Sequence, residues 1–399
     1  MDQRTPAPAA VPEAHSQPPD VDIRVTAALA GVAAADWNRL AGDAYPFLRH
    51  EFLGALEEFD CLAPQGWKPV HLLAYAGDRL AGALPLYLKS NSIGEFVFDW
   101  SWADAYERAG GRYYPKLVSA IPFVPATGPR LLVAPDAGVP GAVRDALVDA
   151  AVHLGEQMQL SSLHCLFPSE VDRVVLGRHG LLLRMGCQYH WHNEGYADFD
   201  DFLGALTSKR RKQIRRERRE VSAAGIEFEI LPGDAIDARQ WRTFYEFYCS
   251  TFHRRWGEPR LTLAFFQALG RRLPAETLLF LARERGGDYV AGAFALRGAD
   301  TLYGRHWGCS AQVPFLHFEL CYYRTIEYCI EQGLARLDAG AQGEHKIARG
   351  FRPVRTWSAH WLRDDGFRSA VADFLDRETR MIDAYVADLD SHSPYRDSG

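Results

Sequence analysis

No run of 18 apolar residues occurs in this 399-residue chain, and its start has no apolar core of the signal-peptide kind. The reading is therefore a cytoplasmic protein with no membrane span. An excess of positive charge is also lacking. With 45 Lys and Arg against 51 Asp and Glu, the net charge is −6. That excludes a protein basic all over, as a general nucleic-acid binder is, but leaves room for a local basic patch. The seven cysteines are odd in number, scattered, and without a C-x-x-C pair. A disulfide framework or zinc knuckle is not expected. Walker, G-x-S-x-G and Rossmann patterns are missing too. His190 and His192 share a strand face but find no third ligand at a recognisable spacing, so no metal is expected.

What is present fits a soluble globular chain, 47% apolar and 24% charged. The length implies two domains. The Pro-, Ala- and Gln-rich residues 1–20 read as a disordered tail. The division then falls at 21–195 and 196–390, with a short tail at 391–399. The fold class read from the elements is α/β (α+β), with mostly antiparallel sheets flanked by helices. Residues 70–75 and 80–88 form a hairpin around Gly77-Asp78. F-V-F-D-W-S-W, ending at Trp102, reads as a strand. A single helix is expected from Phe315 to Gln332. The last helix carries Phe367, Val371, Phe374, Ile382 and Tyr385 at helical spacing. One nine-residue stretch recurs. D-R-L-A-G-A-L-P-L (78–86) aligns with D-Y-V-A-G-A-F-A-L (288–296) at five positions, and each copy sits in the middle of a hairpin. Duplication explains this better than chance.

Two segments carry the chemistry. In the first, 208–219, eight of twelve residues are basic and only Glu217 opposes them. Lys209, Lys212, Arg216 and Arg219 share one helical face, while Leu206, Ile214 and Val221 leave an apolar seam for docking. Such a stripe suits a polyphosphate or an RNA backbone. It also suits a solvated helix that merely offsets the chain's acidity. The second segment, 303–351, reads strand, loop, helix, strand, loop. It contains Arg305, His306, Trp307, His317, Glu319, Gln342, Glu344, His345, Lys346 and Arg349. His317 and Glu319 are two apart on a helix and point to roughly opposite faces. Glu319 reads as a buried hydrogen-bonding or base residue, and His317 as a helix-start residue. Glu344 or His345 can serve as a base, and Lys346 or Arg349 can hold an anionic donor or a carboxylate. An ion-pair network that simply closes the loop is the plain alternative.

Two helices, a hairpin with D-x-x-A-G at its turn, a strand, a helix and a strand pair resemble the GNAT acyltransferase fold. Their repetition resembles the Fem aminoacyltransferases, and within them a FemAB-like bacterial family labelled peptidoglycan biosynthesis or recognition. The likeness rests on F-L-R-H-E-F-L (47–53), S-K-R-R-K-Q-I-R-R-E (208–217), H-W-G (306–308), P-F-L-H-F-E-L-C-Y-Y (314–323) and G-A-Q-G-E-H-K-I-A-R-G-F (340–351). It implies two tandem GNAT-like domains and acyl or aminoacyl transfer to a primary amine of a cell-wall precursor or other small molecule. Glu319, Glu344 and His345 would be the catalytic candidates. Arg305, His306, Trp307, His317, Gln342, Lys346, Arg349, Lys209, Lys212 and Arg216 would bind donor or substrate. No cofactor is expected to stay bound, and the co-substrate would be acyl-CoA or aminoacyl-tRNA. The basic helix would meet a tRNA or a carrier protein. The chain departs from the GNAT pattern in one place. The Q/R-x-x-G-x-G/A loop that grips pyrophosphate is replaced by G-C-S-A-Q-V-P-F-L (308–316). This weighs against CoA. A duplicated fold that has lost turnover and only binds a glycan, peptide or phosphate-bearing ligand is the rival reading.

Overall fold

The computed structural model describes residues 21–253, 257–341 and 343–396. The tail expected at 1–20 and the candidate Gln342 lie outside the described residues. Among the described residues fifteen strands follow in chain order: β1 (Asp22–Thr26), β2 (Trp67–Pro69), β3 (His71–Ala76), β4 (Arg79–Leu84), β5 (Tyr87–Lys89), β6 (Lys116–Ser119), β7 (Leu132–Val133), β8 (Ser162–Leu166), β9 (Leu182–His192), β10 (Ile226–Pro232), β11 (Thr277–Glu284), β12 (Tyr289–Arg297), β13 (Thr301–Cys309), β14 (Arg336–Asp338) and β15 (Arg352–Leu362). Four of them form a sheet in the order β1-β3-β4-β7. The other eleven form β10-β11-β12-β13-β14-β9-β15-β8-β6-β5-β2.

The repeated nine residues occupy equivalent hairpins. Gly82 faces Ala74 across β3 and β4, and Gly292 faces Leu281 across β11 and β12. Both ladders shift register close to that glycine, between Ala74 and Tyr75 in one and Ala282 and Arg283 in the other. The halves are not separate bodies. β15, late in the chain, lies between β8 and β9, pairing Ser358 with Leu166 on one side and Arg352 with His190 on the other. An aromatic core also crosses between them, with Phe47 5.0 Å from Tyr303 and Phe52 5.6 Å from Phe265.

Three expected elements differ. The segment read as a strand up to Trp102 instead turns through Phe96 at φ 62° and becomes a helix, Trp100–Arg108. Aromatic residues favour strands only where a pleated surface can receive them. Here Trp102 is buried edge-on against His360, 4.9 Å away. The helix expected over 315–332 contains a π turn, Glu319–Tyr323, between Leu316–Phe318 and Arg324–Glu331. Such π turns recur at functional sites. The tail expected after residue 390 is docked as far as 396. Tyr395 donates to the Gly350 carbonyl at 2.7 Å, and Thr207 N–H donates to Pro394 at 2.9 Å.

One glycine is fixed by close approach. The helix Ala238–His253 lies directly on β13, and Thr251 Oγ1 donates to the Trp307 carbonyl at 2.8 Å. A Cβ on Gly308 would overlap the Phe247 backbone carbonyl, which has no rotamer by which to yield. Gly308→Ala is expected to destabilise the protein by about 1–3 kcal/mol, as overpacking does. Urea unfolding tests this, and an unchanged midpoint would remove the close-approach argument.

Candidate functional site

Parallel β13 and β14 pair only from Thr301–Tyr303 to Arg336–Asp338, and then diverge. Against β12, Gly304 and His306 face Ala295 and Phe294, so Arg305 is the extra residue of a bulge. Bulges re-aim side chains beside functional clefts. The gap left by the divergence is a cavity of about 150 Å³, bounded by Gly304 to Trp307, Ala339, and His317, Cys321, Tyr322 and Thr325 of the π-containing helix. A second, wider cavity of about 420 Å³ continues outward along residues 309–318. Trp307 and His317 line both cavities, with their rings 5.1 Å apart.

Burial sets the charge state of the inner cavity. It pushes the His317 imidazole down to about 4, helped by the nearby His345, Lys346 and Arg349. His306 is lowered to about 3, by burial first and then by Arg305. It packs edge-on to Tyr248 at 5.0 Å. Both imidazoles are therefore neutral at neutral pH. Tyr322, which burial makes harder to ionise, shares a 2.9 Å hydrogen bond with His345 Nε2. Arg305 is held by Asp338 at 3.0 Å. Burial would raise the Asp338 carboxyl, but Arg305 and His190 hold it below the ordinary range. Lys346 Nζ donates to the carbonyls of Ala339 at 2.9 Å and Gly340 at 2.7 Å, fixing the loop after β14. Burial lowers this ammonium to about 8.

The remaining candidates are spread around this centre. Glu319 is 2% exposed and lines neither cavity. Its Oε1 accepts from Arg218 at 3.1 and 3.2 Å and forms an ion pair with Arg324 at 3.0 Å. Burial raises its pKa while the two arginines pull against that. Glu344 is exposed and accepts from the Tyr385 hydroxyl at 2.6 Å. Arg349 is buried and lies on the Phe318 ring, 3.4 Å from its centroid. Its guanidinium reaches both oxygens of Glu217 at 3.0 Å. Lys209, Lys212, Arg216 and Arg219 are exposed on the helix Ser208–Ala223, while Leu206, Ile214 and Val221 are fully buried beneath. Arg216 stands 5.9 Å over the Phe315 ring, on the rim of the outer cavity. His190 lies 3.9 Å from Asp338, and among the described residues no cluster of three or more metal-ligating groups occurs.

Sequence reasoning missed Tyr322, Tyr323 and Glu217. Tyr322 lay inside the quoted C-Y-Y, whose spacing only the π turn makes meaningful. Glu217 was counted as a lone acid opposing the basic helix. It is 1% exposed and also accepts from the Tyr323 hydroxyl and from Gln213 at 2.9 Å.

Compared with known proteins, residues 28–397 match the model of a family described as FemAB-like, peptidoglycan biosynthesis/recognition. No curated protein matches the chain in sequence. Among solved structures, FemX is 12% identical with a TM-score of 0.50, over 79% of this chain and 93% of its own. L-PGS from Bacillus licheniformis is 11% identical with a TM-score of 0.49, over 81% and 94%. A tandem GNAT protein from the clavulanic acid biosynthesis pathway is 12% identical with a TM-score of 0.45, over 86% and 98%. The likeness to FemX shows the fold, a mixed α/β architecture.

Proposed function

The chain belongs to the FemAB-like family, and from that premise we propose that it is an acyl- or aminoacyltransferase acting on a primary amine of a cell-wall precursor. One observation carries this reading. The divergence of β13 from β14 opens a cavity with neutral polar groups at its wall, and an outer cavity leads from it to an exposed basic ridge.

A donor's phosphates would lie along Lys209, Lys212 and Arg216, and its arm would follow the outer cavity past Trp307. The carbonyl would rest beside the bulged strand, where backbone N–H groups freed from pairing can polarise it. Neutral His317 is placed to take the proton of the attacking amine. Tyr322, backed by His345, is placed to return one to the leaving group. Glu319 and Arg349 would position the helix and the 344–349 turn rather than touch substrate. Positioning would supply much of the rate.

An aminoacyl-tRNA donor is favoured by the length of the basic ridge and by the absence of the pyrophosphate-gripping glycine loop. The test is RNase-sensitive association with bulk tRNA. Reversing Lys209, Lys212 and Arg216 to Glu should weaken it at least ~10-fold at physiological salt and flatten its salt dependence, because each lost phosphate contact removes a released counterion. Binding of CoA alone, unaffected by the reversals, would count against this donor. If no donor transfers its label to a precursor-peptide amine while the peptide still binds, the chain is a recognition protein and not an enzyme.

A further inference from the structure

A third cavity of about 310 Å³, lined by none of the β13 residues, lies against β9 and β15. Phe96, Phe98, Phe167 and Trp357 contribute apolar walls, and Ser358 and Arg184 contribute polar groups. Ser358 and Arg184 are register partners on adjacent strands and project from the same face. Behind Ser358 runs a chain of buried hydrogen bonds. Ser358 Oγ is 2.8 Å from His360 Nε2, and His360 Nδ1 is 2.6 Å from His164 Nδ1. His164 Nε2 is 2.8 Å from Ser162 Oγ and 3.3 Å from the Tyr113 hydroxyl. Tyr113 donates to Asp99 at 2.7 Å, and Asp99 lies 2.5 Å from Lys116 Nζ, which also holds Glu95 at 2.8 Å.

We propose that this cavity is a second reactive site, in which Ser358 is the nucleophile, His360 its base and His164 the group that orients the base, and that it takes esters or thioesters of apolar acyl groups. A nucleophile, a base within hydrogen-bond reach and a third group behind the base form the arrangement on which serine acyl transfer depends. One set of tautomers satisfies every bond. His360 carries its proton on Nδ1 and donates it to His164 Nδ1, which leaves His360 Nε2 free to accept from Ser358. His164 then carries its proton on Nε2, facing Ser162 and Tyr113. Burial keeps both imidazoles neutral, the state in which a base can accept.

The step balances. Ser358 Oγ bonds to the acyl carbon and its proton passes to His360 Nε2. The bond from the acyl carbon to the leaving oxygen or sulfur then breaks, and that atom takes the proton from His360. Water, attacking by the same route, releases the carboxylic acid and restores Ser358. Arg184, the register partner of Ser358, brings a cation to the same wall, where it pairs with Glu378 at 2.7 and 2.8 Å. Asp99, 3.8 Å from His164 Nε2, faces the transient positive charge of the histidine pair.

An alkyl fluorophosphonate tests this on the full chain. Attack by Ser358 displaces fluoride and leaves a stable phosphonyl adduct. The expected result is one adduct per folded chain, mapped to the peptide containing Ser358, absent from Ser358→Ala and from urea-unfolded protein. His360→Asn should slow labelling at least ~100-fold, the contribution of a general base. An unlabelled Ser358 in the folded wild type overturns the proposal. So does labelling at wild-type rate in a folded His360→Asn variant, which would reduce the chain of bonds to a structural network.

Discussion

Replacing Arg349 by Met is expected to cost about 3–5 kcal/mol of stability, the penalty for leaving a buried partner charge uncompensated. Arg349 and Glu217 are 4% and 1% exposed, so water cannot take over from either. Arg349 also donates to the Tyr323 hydroxyl at 3.1 Å and to the His345 carbonyl at 2.8 Å. Methionine fills much of the same space on Phe318, so the loss is electrostatic and not a cavity. The pair itself need not be strongly stabilising, since desolvating two charges offsets most of their attraction. The double variant Glu217→Gln with Arg349→Met should therefore lose less than the sum of the two single variants. A coupling of about 1–3 kcal/mol in a double-mutant cycle, followed by urea unfolding, is the expected result. If Arg349→Met costs under about 1 kcal/mol, the carboxylate has found water or another donor and the buried-pair account fails. The pair has a functional side as well, because it ties the basic helix to the turn that carries His345.

Much of this arrangement was legible in the sequence because it is local. The hairpins around Gly77 and Gly286, where the chain takes φ of 61° and 68°, announce themselves by turn chemistry and alternation. The seam of the basic helix follows from its period. What was not legible depends on partners far along the chain. Glu217 among eight basic residues looks solvated, and only Arg349, 132 positions later, makes it a core residue. Glu319 reads as a buried hydrogen-bonding or base residue, but the donor on its oxygen, Arg218, lies 101 positions earlier. β15 has the alternation of an ordinary strand, but nothing within it states that its neighbours are β8 and β9. That pairing merges the two expected domains into one eleven-stranded sheet. Ser358 and His360 stand two apart on β15, but His164 meets His360 only across that pairing, and without it the chain of bonds could not be read.

The largest effect on turnover is expected from a single oxygen. Tyr322→Phe keeps the ring that packs against His317, 5.3 Å between centroids, and against Phe351 at 5.4 Å. It removes only the hydroxyl facing His345. If that hydroxyl returns the proton to the departing oxygen or sulfur, kcat should fall ~10²–10⁴-fold with little change in KM, as for loss of a general acid. The substitution leaves the His345 imidazole half-exposed, where water can reach it, so the fold should survive. pH dependence separates this role from a packing role. Burial holds His317 at about 4, so it is protonated, and useless as a base, only below that pH. Activity, referred to the unprotonated fraction of the acceptor amine, should show an acid limb near pH 4, whereas an unperturbed histidine would put that limb near 6.5. Tyr322→Phe should lower the plateau without moving the limb, because the hydroxyl is the acid and not the base. A variant within threefold of wild type together with an acid limb near 6.5 would mean that neither Tyr322 nor buried His317 handles the proton. The reaction would then depend on positioning at the bulged strand alone.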